Sequence, residues 1–230
     1  MLLYISFRGT ASWQMAVNDL DTAQVHVTLW PWPATRRGEV MVHRGFWQSY
    51  LSVRGPLLKM VEAFAAAEEV RSGGTAAPLC VCVTGHSAGG ALATFCALDL
   101  ACSAYAPRLR VAMYTFGSPR VGNKHFATLF DARVPNAFRV VYEGDIVTSQ
   151  PKHSQSWIYL VCCCLFLGPI GYVWNPLLLR TYKHAGVPVI LLDSPRGDVL
   201  IDPAMIERNL YMNWPRSIKS HMMVQYSLGA

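Results

Sequence analysis

The chain has 230 residues, of which 52% are hydrophobic and 15% charged; 20 Lys and Arg against 14 Asp and Glu give a formal net charge of +6. So apolar a composition excludes intrinsic disorder, which needs low hydrophobicity and high net charge. It also argues against nucleic-acid binding, because the basic excess is scattered and no Lys/Arg block is longer than Arg36-Arg37.

The amino-terminal stretch Met1–Gly9 has no basic n-region and is too short for the apolar core of a signal peptide. It reads as a strand, Tyr4–Phe7, ending at Arg8-Gly9-Thr10. After the Pro-rich run Trp30-Pro31-Trp32-Pro33, Phe46–Ala67 shows helical spacing, with a break expected near Gly55-Pro56. Leu79–Thr84 is a short, bounded apolar run, as expected of a buried parallel strand, and Ala91–Ala101 is a helix. Val111–Phe116 and Phe138–Tyr142 are further strands, ending at Gly117-Ser118-Pro119 and Glu143-Gly144-Asp145. Val187–Leu192 and Asp198–Ile201 flank a hairpin at Ser194–Gly197, and helices are expected over Pro203–Tyr211 and Ser220–Tyr226. Strands alternating with helices predict an α/β fold, a parallel sheet with helices on both faces. Without an internal repeat or low-complexity linker, one domain is expected over residues 1–230.

The seven cysteines (80, 82, 96, 102, 162, 163 and 164) are odd in number, sit largely in apolar runs and lack paired Cys-x-x-Cys spacing. They read as reduced thiols, neither a disulfide framework nor a zinc site. With no signal peptide, the expected location is intracellular, cytoplasmic or at a membrane periphery.

Gly85-His86-Ser87-Ala88-Gly89 carries the chemistry. Gly-x-Ser-x-Gly is weak alone, but here it joins an apolar strand to an Ala/Leu-rich helix, the setting of a nucleophile elbow. The turn lifts the Ser87 hydroxyl above the sheet and places the Ala88 N–H beside it as an oxyanion donor. A serine needs a base to take its proton, and on this elbow the chain order is serine, acid, histidine. His153, His184 and His221 are the later histidines. Asp145, Asp193, Asp198 and Asp202 are the candidate acids. Asp145 is favoured because it follows a predicted strand, at the sheet edge where ligands bind; spacing separates His221 from His184 only weakly.

With these motifs the sequence resembles the class 3, or fungal-type, lipases of the α/β-hydrolase superfamily, along almost the whole chain. The resemblance rests on Phe7-Arg8-Gly9-Thr10, His43-Arg44-Gly45-Phe46, Gly85–Ala93, Thr115–Asn123, Gly144-Asp145-Ile146-Val147, Tyr182–Gly186 and the late His221. It implies Ser87 as nucleophile, Asp145 as triad acid and His221 as base, with Thr10 and Ala88 forming the oxyanion hole. It demotes His184, whose Tyr-x-His-x-Gly motif is structural in the family. Residues 11–20 match the family's mobile lid, with Trp13, Met15 and Val17 as candidates for its apolar face. The family's preceding strand and helix are missing, so an amino-terminally shortened domain is expected.

The second departure is an apolar insertion over Trp157–Leu179. A single membrane crossing there would separate Asp145 from His221, and two would need about 40 apolar residues. The segment reads as a pocket rim or an interfacial lobe with headgroup-level aromatics, with plain core packing as the alternative. The implied activity is serine carboxylester hydrolysis of acylglycerols, without metal or organic cofactor, with a lipid ester as substrate and a membrane or lipid-droplet surface as contact. Phospholipase A1 or diacylglycerol lipase chemistry would use the same residues, and a non-catalytic lipid-binding module would be expected to lack a triad member. Oligomeric state has no sequence signal.

Overall fold

The structure, a computed structural model, describes residues 1–9, 22–31, 38–74, 77–151, 181–194 and 196–204. The expected lid, the apolar segment 157–179 and the helices expected beyond residue 204 lie outside the described residues.

The described residues build a six-stranded sheet in the spatial order β1 (Leu2–Phe7), β4 (Leu79–His86), β5 (Leu109–Phe116), β6 (Ala137–Tyr142), β7 (Val187–Leu191) and β8 (Val199–Ile201). All pairs are parallel except β7–β8, the hairpin that the Ser194–Gly197 turn predicts. A separate antiparallel ribbon joins β2 (Gln24–His26) to β3 (Met41–His43). The predicted strands thus stand: the first four are longer by a residue or two, and the two of the hairpin are each shorter by one.

Helix α1 runs unbroken from Arg44 to Arg71, through Pro56, so the expected break at Gly55-Pro56 does not occur. Proline at this position deprives only the Ser52 carbonyl of its donor. Ser52 is exposed and Gly55 faces open space, so water can reach that carbonyl, while buried Tyr50 and Val61 anchor the helix on either side. The His43 side chain caps its start by accepting from Phe46 N.

Helix α2 (Ala88–Cys102) is buried from Gly89 to Leu100 except at half-buried Leu92. A helix apolar on all sides belongs in a core. Its one charged residue is Asp99, which accepts from Trp30 Nε1 and Tyr50 Oη at 2.8 Å each and from Arg54 Nε at 2.6 Å. Burial, reinforced by the acidic neighbours, pushes the Tyr50 phenol far above its ordinary value. Helix α3 (Lys124–Arg133) is capped by Asn123, whose side chain accepts from Phe126 N at 2.9 Å.

These three helices share one core cluster with the sheet face that carries Ile5, Val81, Val83 and Met113. A small second cluster, Tyr142 and Leu191 with Phe116 and Val140, tops the other face, on which Leu2, Tyr4 and Tyr114 are exposed. No helix among the described residues is long and apolar enough to cross a membrane.

Candidate active site

Ser87 sits between β4 and α2 with φ 55° and ψ −128°, a backbone region that L-residues occupy only when their surroundings hold them there. Two things hold it. Its N–H donates to Phe116 O at 2.9 Å, which ties the turn to the end of β5. The flanking glycines also let three backbones meet: a Cβ on Gly89 would lie 2.2 Å from Phe7 O, and one on Gly85 2.3 Å from Gly89 O. No larger residue fits at either place. The turn opens α2, so the Ala88 N–H is the first donor of the helix and has no partner one turn back within it. His86, between Gly85 and Ser87, is half-buried at the end of β4.

Gly9, just past β1, runs beside this turn; a Cβ there would lie 2.8 Å from His86 O and 3.4 Å from Ser87 Cβ. The backbone leading to Thr10 therefore passes Ser87. Thr10 itself lies outside the described residues, as do Trp13, Met15, Val17, His153 and His221.

Asp145 follows β6 on the same carboxyl edge, two strands from β4, or about 10 Å at ordinary strand spacing. That separation leaves room for an imidazole between carboxylate and hydroxyl. The residue is 2% exposed and its Oδ1 accepts from Val147 N at 2.8 Å, which fixes the carboxylate at the head of a short 3-10 turn over Val147–Ser149. The rival acids are placed differently. Asp193 accepts from Tyr142 Oη at 2.9 Å, and its own N–H donates to Glu143 Oε2. Asp198 accepts from Ser194 Oγ inside the β7–β8 turn. Asp202 donates from its backbone to Pro188 O, at the opposite end of the sheet from Ser87. His184 is remote too: two residues on, Gly186 lies against Ala137 at the amino end of β6. Tyr182, in the same motif, donates to Thr22 O at 2.8 Å.

Among the described residues no group of three or more His, Cys, Asp and Glu side chains is arranged to hold a metal ion. What the arrangement offers is a raised hydroxyl, an adjacent helix N-terminus and a buried carboxylate on one edge. One residue that supports this geometry, Arg120, bonds the loop after Asp145 and carries no motif signal of its own beyond its place in the Thr115–Asn123 run.

A serine held at positive φ between a central parallel strand and the next helix, with an aspartate past a strand two further along the sheet, is the nucleophile-elbow arrangement of the α/β-hydrolase fold. Within that fold, the chain belongs to the class 3 lipase family: the family profile described as Lipase (class 3) matches residues 4–155. A lipase from Rhizomucor miehei is 35% identical over 159 residues, 68% of this chain and 39% of the relative. Phospholipase A(1) DAD1, chloroplastic, from Arabidopsis thaliana is 35% identical over 150 residues, 64% of this chain and 33% of the relative. Each curated relative is thus matched over well under half its length. Lipase II from Rhizopus niveus superposes with a TM-score of 0.66 at 26% identity, over 96% of this chain and 69% of that one.

Proposed function

We propose that the chain is a serine carboxylester hydrolase that cleaves fatty-acyl esters of acylglycerols. The observation that carries this reading is Ser87 itself: its backbone is strained and its hydroxyl stands at the carboxyl edge that also bears buried Asp145. In the reaction His221, carried over from the family resemblance, takes the Ser87 proton as the oxygen attacks the ester carbonyl. Asp145 orients the imidazole and stabilises its cationic form. The N–H groups of Thr10 and Ala88 hold the tetrahedral oxyanion. The alcohol leaves with a proton from His221, and water then releases the fatty acid from the acyl-enzyme. The apolar stretch 157–179 favours work at a lipid surface, as a peripheral contact.

The test is labelling with a serine-directed fluorophosphonate, followed by hydrolysis of emulsified acylglycerol. Wild-type protein should label and hydrolyse. Ser87→Ala should lose labelling and at least ~10³-fold of turnover, whereas undiminished turnover would refute the assignment. A second reading, phospholipase A1 chemistry, is favoured by the similarity to the chloroplastic phospholipase. A parallel assay on phosphatidylcholine and diacylglycerol separates the two.

A further inference from the structure

Arg120 lies in the segment after β5, and its contacts converge on the loop that begins at Asp145. We propose that Arg120 is a positioning residue of the hydrolase site, holding the acid loop in register with the nucleophile; the inference rests on the hydrolase reading above.

The 3-10 turn after Asp145 is secured at both ends. At its start the Asp145 carboxylate accepts from Val147 N at 2.8 Å, and Thr148 Oγ1 donates to Asp145 O at 2.9 Å. At its end three consecutive carbonyls converge on Arg120. Its backbone N–H donates to Gln150 O at 2.8 Å, and its Nη1 donates to Ser149 O and, at 3.3 Å, to Pro151 O. A cation bonding the last carbonyls of a helical turn is favourable both as a cap and against the local dipole. Both side-chain bonds come from Nη1, whose two N–H donors are held in fixed directions by the planar guanidinium, whereas an ammonium rotates freely.

The other end of the linkage is the nucleophile. Arg120 stands four residues past Phe116, whose carbonyl accepts from Ser87 N, and between them Gly117 N donates to Val140 O on β6. A short run of chain thus touches the elbow with its first residue, β6 with its second and the acid loop with Arg120. If the guanidinium is lost, only the backbone bond from Arg120 N to Gln150 O still ties the far end of the turn to this segment, and the carboxylate at its near end is held less firmly relative to Ser87. A misplacement of about 1 Å in such a constellation costs on the order of 100-fold in rate.

The experiment compares full-length wild type with Arg120→Ala and Arg120→Lys. It uses a soluble short-chain ester, counts active sites by fluorophosphonate end-point and records unfolding midpoints. Arg120→Ala should lose about 10- to 100-fold in kcat per labelled site with KM nearly unchanged, and should label correspondingly slowly. Low millimolar guanidinium should restore part of the rate, and Arg120→Lys should fall between. A purely structural role would lower the midpoint and the number of labelled sites, without a kcat change per site or rescue by guanidinium. A folded Arg120→Ala with wild-type kcat and labelling rate overturns the proposal. If that variant does not fold, wild-type kcat and labelling in Arg120→Lys overturn it. A wild type that neither labels nor hydrolyses overturns the hydrolase reading, and this inference with it; a reactive wild type with unaffected variants overturns this inference alone.

Discussion

Helix α2 starts on a residue with a strained backbone, whose hydroxyl makes no hydrogen bond among the described residues; about three turns later it carries a carboxylate surrounded by donors. At the first end the structure spends stability. Glycines 85 and 89 replace side-chain packing with backbone contact, and Ser87 sits where few L-residues settle. At the second end Asp99 joins α2 to α1 through Tyr50 and Arg54, and to the loop before β3 through Trp30. Trp30 and Tyr50 also lie in the aromatic group around Trp47 and Phe95. The contrast fits a general pattern in which strain collects at functional positions while surrounding structure holds it in place.

Asp99→Ala tests the stabilising end and should have the largest effect. It leaves the Trp30 and Tyr50 donors buried without their acceptor; Arg54, 29% exposed, can turn to water. Removing one partner of a buried charged group costs about 3–5 kcal/mol, and the exposure of Arg54 places the expectation at about 3 kcal/mol. Urea unfolding would measure it. Labelling of Ser87 per folded molecule should stay at the wild-type rate, because among the described residues the Asp99 carboxylate bonds Trp30, Tyr50 and Arg54, away from the elbow. A variant that is stable but labels slowly would show that the two ends are coupled.

Gly89→Ala tests the strained end. Its new Cβ would meet Phe7 O at 2.2 Å, and both atoms belong to backbone that cannot rotate away. Overpacking of this kind costs about 1–3 kcal/mol. Separating β1 from the elbow also moves the chain that leads from Gly9 to Thr10. The expected result is therefore about 2 kcal/mol of destabilisation together with loss of labelling, the opposite pairing from Asp99→Ala.

Much of the strained end was legible in the sequence, because its requirements are local. Gly85-His86-Ser87-Ala88-Gly89 between an apolar run and an Ala-rich helix admits few other folds, and Asp145 is marked by the strand it follows. The supporting contacts were not legible. Asp99 reads as a polar break in Ala97-Leu98-Asp99-Leu100, since its donors lie 45–69 residues away in sequence. Arg120 bonds backbone carbonyls, which have no residue signature. The β2–β3 ribbon has three-residue strands whose periodicity is too short to register. α3 has only ten residues, under three turns, over which to show a helical period. Pro56 signalled a break because local rules cannot see that the freed carbonyl faces solvent. Local geometry is written in local residues, whereas the contacts that hold it are tertiary.

The smallest expected effect gives the most direct reading of strain. Ser87→Gly and Ser87→Ala both remove the hydroxyl, so both should abolish labelling, and their difference in stability isolates the backbone. At φ 55° and ψ −128° alanine keeps the Cβ and with it the penalty, which for such conformations is about 1–3 kcal/mol. Glycine relieves that penalty but gives back about 0.5–1 kcal/mol by loosening the unfolded chain. Ser87→Gly should therefore be more stable than Ser87→Ala by about 1 kcal/mol, a rise of roughly 2–4 °C in Tm for a chain of this size. An equal or lower Tm for the glycine variant would mean that the elbow is held without strain, and that the contrast between the two ends of α2 lies in its hydrogen bonds alone.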